Sequence, residues 1–441
     1  MTDFGYHVDQ APQETGDAMH AFMGRLYPIC RSITGNGVRE TLDMIKEHIP
    51  LVITEVRSGT RVFDWTVPLE WNISDAYIKN KKGERVVDFR ENNLHVVGYS
   101  TPVRGHMSLA ELKPHLFTLP DHPDWIPYRT SYYKDNWGFC LTHNQYSQLT
   151  EETYEVVIES SLSDGHLSYA ECYLKGKTTD EVLISCHVCH PSLCNDNLSG
   201  IAVATFLAKE LSLWDRHLSY RFLFIPATIG AIAWLAMNER QTDQIKHGLV
   251  ITGVGDEGRI TYKKSRRGDS DIDRVVQHVL KHSGSDFRVI DFFPYGYDER
   301  QYCSPGFDLP VGCFMRTPHG EYPEYHSSAD NLDFVKAGTL GDSFTRCKTV
   351  FEVLENNRAY LNQSPKCEPQ LGRRKLYRAV AGQQEKQSRE LTLLWALSGS
   401  DGKNTLLDIA ERAGIPFSQI YAAAMELVEV GLLRDLGGLV P

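Results

Sequence analysis

The sequence predicts an α/β fold: a mixed, largely parallel sheet flanked by helices, with a small β-rich insertion near the N-terminus and a short helical module at the C-terminus. Three observations lead there. Between about Tyr154 and Phe334, short apolar runs alternate with helix-length segments, the pattern of strand–helix–strand units. Between about Arg61 and Pro127 the chain is dense in Trp, Tyr, Pro and short β-prone runs. After about Leu361 a polar, Pro-containing linker, Asn362–Gly372, precedes a segment of different texture. The domain reading that follows is 1–60 with 128–361, an inserted subdomain at 61–127, and a terminal module at 373–441.

At 441 residues the chain exceeds what one core usually holds, so two or three domains are expected. Hydrophobic residues at 41% and charged residues at 23% are ordinary for a soluble globular protein. The start, Met1-Thr2-Asp3-Phe4-Gly5, lacks a basic segment followed by an apolar run. The longest apolar stretch, Leu198 to Leu211, is interrupted by Ser199, Gly200, Thr205, Lys209 and Glu210 and is too short to span a membrane. A cytoplasmic protein is expected. Ten cysteines in a chain this long are then free thiols, and a net charge of −11 argues against nucleic acid as partner.

Residues 16–49 read as helical, with Val38, Leu42, Ile45 and Ile49 at helical spacing and Pro50 as the stop. Val62-Phe63-Asp64-Trp65, Arg85 to Phe89 and His95 to Tyr99 read as strands of the insertion. Val182 to Ser185, Arg221 to Ile225 and Leu249 to Thr252 read as strands covered on both faces. Leu198 to Leu211 and Ala231 to Asn238 read as the helices between them. Ligands of such sheets sit at the carboxyl ends of strands, where a His-rich segment begins directly after Ser185. Residues 388–441 give two or three short helices with a sharp turn at Ala413-Gly414-Ile415-Pro416 and a Gly-rich end, the outline of a winged helix.

That His-rich run is Ser185-Cys186-His187-Val188-Cys189-His190-Pro191-Ser192-Leu193-Cys194-Asn195-Asp196-Asn197-Leu198-Ser199-Gly200. A His at a strand end and an Asp just before a helix can converge on one ion, and imidazole with carboxylate suits zinc. The bland alternative is a buried strand with core thiols and a surface His. A later segment, Pro323-Glu324-Tyr325-His326-Ser327-Ser328-Ala329-Asp330-Asn331, offers another His between acids. Cys186, Cys189 and Cys194 are a rival ligand set, but no convincing fourth thiol accompanies them.

Together these pieces resemble the zinc aminopeptidase superfamily, and the wording Cys-His-Pro-Ser, Thr-Ile-Gly-Ala-Ile, Lys-Ser-Arg-Arg-Gly and Tyr-Pro-Glu-Tyr-His resembles a bacterial aminopeptidase-like branch with an inserted domain and a C-terminal winged helix. The resemblance covers nearly the whole chain. It implies His187 as first zinc ligand, Asp196 as the bridging carboxylate, His326 as the late His ligand, and Asp298 as a substrate-orienting acid. Three departures matter: Cys189 stands where relatives carry Asp, Pro226-Ala227-Thr228 where they carry a Glu pair, and Asp256 arrives slightly late for the next ligand. The expectation is therefore a single zinc on His187, Asp196 and His326, with Asp256 as a fourth ligand. Glu324 is the first candidate for the missing base, followed by Glu321 and Glu299.

The function expected is a zinc-dependent aminopeptidase or small-molecule amide hydrolase, acting on a peptide or small amide; the alternative is a weak or inactive aminopeptidase-like protein with a binding or regulatory role. Arg266, Arg267 and Tyr325 are candidate substrate contacts, the arginines because their planar fork suits anions, though a solvated basic loop explains them equally; Arg300 and Arg316 stand the same way. The expected recognition helix of the winged helix, Phe417 to Val430, carries Ala422-Ala423-Ala424, Glu426 and Glu429 but no Lys or Arg. That composition suits assembly into a homo-oligomer better than DNA.

Overall fold

The computed structural model describes residues 11–376 and 383–436. They form two compact units, one of residues 11–270 and 286–345, the other of 271–285, 346–376 and 383–436.

The first unit is built on an eight-stranded mixed sheet. In chain order its strands are β1 (Val52–Arg57), β2 (His166–Leu174), β3 (Glu181–His187), β4 (Ser219–Ile225), β5 (Ile245–Ile251), β6 (Ile260–Lys263), β7 (Phe287–Ile290) and β8 (Val311–Met315). Their spatial order is β1-β2-β4-β3-β5-β8-β6-β7. The centre, β4-β3-β5-β8, is parallel, whereas β1, β2 and β6 join antiparallel to their inner neighbours. Every residue of β3 is buried, which is why Val182 to Ser185 reads as an unbroken apolar run with no alternation. Helices Gly200–Leu211 and Ile229–Asn238 follow β3 and β4.

Two expected helices differ in detail. The stretch 16–49 is not one helix but two, Ala11–Leu26 and Asn36–Lys46. Pro28 offers no N–H to continue the first, and Gly35 sits at φ 98° where a Cβ would fall 2.1 Å from the Trp71 carbonyl oxygen. The helix after β3 starts at Gly200 instead of Leu198, because residues 194–199 form an irregular turn in which Asp196 (φ −109°, ψ 81°) and Asn197 (φ −144°, ψ 36°) leave helical geometry.

A second, four-stranded sheet orders Arg85–Asp88, Glu70–Lys79, Thr153–Ser163 and Val103–Ser108, so the β-rich layer recruits a strand well beyond residue 127. Its connecting segment returns to the main body where Pro127 bridges Ser327.

In the second unit, Ala359–Asn362 pairs with Asp401–Thr405 and Leu433–Asp435, and helices Gln383–Gly399, Leu406–Ala413 and Phe417–Glu429 surround this small sheet. Thr405 and Asp408 cap the second of these helices reciprocally, and Gly414 at φ 67° ends it. The helix Asp271–Lys281 belongs to this unit: Arg274 pairs with Asp408 and Glu411, and His278 Nε2 accepts the Phe417 N–H at 3.0 Å. Among the described residues no helix is long and apolar enough to cross a membrane.

Candidate metal centre

The parallel centre of the sheet delivers His187 to the last position of β3, where its side chain is 1% exposed. Nine residues later the irregular turn aims Asp196 back at it. The non-helical dihedrals of Asp196 and Asn197 are what turn the carboxylate inward, since a regular helix there would continue along its own axis. Asp330 fixes that turn, with its two oxygens accepting the N–H groups of Asn195 (2.6 Å) and Asp196 (3.0 Å). Burial pushes the Asp330 carboxyl up to about 7, but donors facing both oxygens are the environment of the ionised form.

Asp196 is the hub. Its Oδ1 accepts from His187 Nε2 at 2.8 Å and its Oδ2 from His326 Nε2 at 3.0 Å, while His190 Nε2 lies 3.8 Å from Oδ2. Burial alone would raise this carboxyl; His190, His187 and His326 together hold it well below the usual carboxylate range. Burial pushes the His190 imidazole down to about 3, toward the neutral form that ligates metal, with Asp196 pulling the other way. Ligand atoms of His187, His190 and Asp196 lie within 4.8 Å of one another, the one such group of three among the described residues. Three imidazoles converging on one buried carboxylate is a donor set that fits zinc. The cluster Cys186, Cys189 and Cys194 forms no such group among the described residues.

Supports arrive from several elements. Arg31, almost wholly buried, donates Nε to the His190 carbonyl at 2.9 Å and Nη1 to Leu26 O at 2.7 Å. Cys189 Sγ lies 3.6 Å from His190 Nδ1 and accepts the Ala227 N–H at 3.3 Å. His326 sits at φ 56°, an unusual conformation for a bulky residue, held because its carbonyl accepts the Tyr128 N–H at 2.8 Å and Ser328 pairs with Ile126. Tyr128 meets His326 edge-on at 5.0 Å and His190 at 5.2 Å, and its hydroxyl lies 3.1 Å from that of Tyr132. Tyr297 stacks on His187, and Tyr325 stacks on His326 at 3.9 Å.

The other sequence-predicted residues go elsewhere. Asp256 is not at the cluster: its carboxylate accepts from Thr317 Oγ1 (2.6 Å), Gly258 N (2.7 Å) and Asn195 Nδ2 (2.9 Å), which tie the loop after β5. Glu324 contributes its backbone carbonyl, accepting from Ser327 N and Oγ. Glu321 pairs with Arg288, and buried Glu299 pairs with Lys263 at 2.8 Å. Arg266 and Arg267 pair with Asp308, and Arg267 lines a cavity with Ile245 and Pro310, which precede or open strands whose far ends face the cluster. Arg316 is bound by Asp342, Ser343 and Gly258, and Arg300 lies over the Tyr295 ring. Asp298 is fully buried with neither oxygen hydrogen-bonded to protein, and burial pushes its carboxyl up to about 7 against the opposing charge of His187.

Sequence reasoning passed over His190, Arg31, Tyr128 and Tyr132. His190 had a signal, three residues after His187 in Cys-His-Pro; the others lie about 60 to 160 residues away in sequence and had none.

Comparison with known families decides the membership. A family model described as a domain of unknown function (DUF4910) matches residues 20–357, and a winged helix-turn-helix model matches 358–435. The chain belongs to the DUF4910 family. This DUF4910 chain is 54% identical, over 96% of its length and 98% of the relative's, to a Clostridium acetobutylicum protein named "Putative polysaccharide biosynthesis protein with aminopeptidase-like domain". It also matches the crystal structure of a "putative peptidase" from Clostridium acetobutylicum at TM-score 0.93 and 53% identity, covering 97% of this chain and 98% of that one. BSAP, a zinc aminopeptidase from Bacillus subtilis, superposes at TM-score 0.57 with 10% identity over 77% of this chain and 95% of its own. The DUF4910 chain therefore has the aminopeptidase-like α/β fold followed by a winged helix.

Proposed function

We propose that this protein is a metal-dependent hydrolase, an aminopeptidase or small-molecule amide hydrolase, holding one zinc on His187, His190, Asp196 and His326. The observation that carries the reading is the convergence of three imidazoles on buried Asp196 at the carboxyl end of β3, within an aminopeptidase-like fold. Zinc, when bound, supplies Lewis acidity that polarises a carbonyl and acidifies water. Asp330 orients Asp196 by accepting the N–H groups of Asn195 and Asp196. Tyr128 and Tyr325 pack against the His326 ring, and Tyr132 meets the Tyr128 hydroxyl, so phenol rings line one side of the centre. Asp298 replaces Glu324 as our candidate for the proton-transfer group: it is buried next to the cluster, has both oxygens uncommitted, and has a proton affinity near neutrality. The two-metal arrangement is disfavoured because Ala227 and Cys189 are not carboxylates, and burial pushes the Cys189 thiol up, away from the thiolate.

The name of the Clostridium acetobutylicum relative suggests an amide borne by a precursor of polysaccharide synthesis as substrate. A weak or inactive protein with a binding role remains the second reading, favoured by Ala227 and Cys189. Turnover of an aminoacyl amide and N-acyl amino-sugar panel separates the two. Asp298→Asn should keep the metal and lower kcat about 10²–10⁴-fold. No turnover of any substrate by the zinc-loaded protein would favour the second reading.

A further inference from the structure

The side chain of Arg300 has no counter-charge. It makes no hydrogen bond and no ion pair with any described residue, and its Nε is removed from water without an acceptor. Its guanidinium lies over the Tyr295 ring, 5.6 Å from the centroid, and Tyr295 is 64% exposed. A freely solvated arginine keeps every donor in water. Here one donor is withdrawn while the planar head rests against an aromatic face.

Most acids on the surrounding loops already have cations. Asp291 pairs with Lys264, Glu299 with Lys263, Asp308 with Arg266 and Arg267, and Glu321 with Arg288. Asp298 and Glu324 have none, and neither lies within ion-pairing distance of Arg300. Burial also drives the Asp298 carboxyl toward its neutral form, against the charges of His187 and Arg300. The guanidinium is left uncompensated.

The loop beneath it is fixed in advance. Lys263 Nζ donates to Tyr295 O at 2.7 Å and to Glu299 Oε1 at 2.8 Å. Gly296 turns between them at φ 143°, where a Cβ would fall 2.6 Å from that carboxylate oxygen. The same loop reaches the metal cluster. Tyr297 stacks on His187 at 5.6 Å, while Tyr295 lies 5.5 Å from His319, which lies 6.2 Å from Tyr325, the ring stacked on His326. An anion held at Arg300 therefore belongs to a part of the ligand several bonds from a carbonyl at the cluster.

We propose that Arg300 anchors an anionic group, a carboxylate or a phosphate, on the uncleaved part of the substrate, which makes the substrate an acidic amide. The guanidinium fork pairs with two oxygens of such a group, and the Tyr295 ring holds the fork in place. A neutral substrate would leave the charge as it stands now, unpaired. This assignment rests on the hydrolase reading, which supplies the metal site that holds the other end of the ligand.

The test is calorimetric titration of the zinc-loaded full-length protein with hydroxamates, which bind zinc at one end. The probes are the monohydroxamates of adipic, suberic and sebacic acid, each beside its neutral methyl ester and its ω-phosphonate counterpart. At one chain length or more, an anionic probe should bind about tenfold or more tighter than the ester. Arg300→Gln should abolish that preference while leaving ester affinity, zinc content and the urea midpoint unchanged. Arg300→Lys, which keeps the charge but not the fork, should retain part of it. Tighter binding of the carboxylate or of the phosphonate names the source of the anion, and either supports the proposal. Equal binding of ester and anionic probes at every length would overturn it and leave the hydrolase reading standing. A preference that survives Arg300→Gln would also overturn it, by placing the anion elsewhere. No binding of any hydroxamate would overturn the hydrolase reading and the anchor together.

Discussion

Asp330→Asn isolates the support of the centre from its ligands. In the native protein one carboxylate satisfies two buried N–H groups on the turn that presents Asp196. An asparagine in the same place has one acceptor oxygen, so it can serve the closer donor, Asn195 N, and then sets its own NH₂ against Asp196 N. A buried donor left unpaired costs about 1–3 kcal/mol, and the turn can avoid that cost only by rotating the Asp196 peptide. If the strain is relieved by displacing the Asp196 side chain, it appears in metal affinity: ~1.4–2.8 kcal/mol is a 10- to 100-fold weaker dissociation constant, the range usual for groups behind the ligands. Zinc affinity measured by competition with a chromophoric chelator at neutral pH reads this directly. Urea unfolding of the metal-free variant measures the stability share separately. Zinc affinity within twofold of the unsubstituted protein, with all the loss in stability, would refute the reasoning and leave Asp330 as a structural brace only.

Other expectations follow from the same geometry. His278 accepts the Phe417 N–H, and burial with neighbouring His282, Lys281 and Arg274 pushes it down to about 4. Its folded value lies below its unfolded one, so its contribution is present above pH ~6.5 and is lost as pH falls toward 4, a difference of roughly 1–3 kcal/mol. His278→Gln, which keeps an acceptor, should flatten the pH dependence of the urea midpoint across that window; an unchanged slope would discount the histidine. The helix Phe417–Glu429 carries Glu426 and Glu429, with Glu426 already paired to Arg389, and no basic residue. The full-length protein should therefore leave duplex DNA unshifted in a gel at physiological salt, and a tight, salt-sensitive, sequence-selective shift would reverse that view.

What the sequence made legible divides along physical lines. The parallel centre was readable because β3 and β4 are buried on both faces and so carry unbroken apolar runs ending in His187 and Ile225. The pairing of His187 with Asp196 was readable because both lie on one short connection at a strand end. The split of the first helix was missed because amphipathic spacing persists on both sides of Pro28 and Gly35, and periodicity does not register a break whose cause is a close approach to Trp71. Asp256 was misassigned because proximity to the end of β5 is necessary for a ligand but does not say which way the carboxylate turns; Thr317 and Asn195 take it first. Arg31 and Tyr128 were invisible because their roles exist only after distant loops meet. His190 was in plain view. It was passed over because the family pattern directs attention to the position of Cys189, and the structure brings the next residue to Asp196 instead.

Elemental analysis of the purified full-length protein beside Asp196→Asn tests the central claim most directly. Asp196 is the group on which His187, His190 and His326 converge, so the account predicts roughly one zinc per chain in the unsubstituted protein and almost none in the variant, with the unfolding transition of the metal-free forms retained. Two tightly held zinc ions per chain, or full zinc in Asp196→Asn, would contradict it.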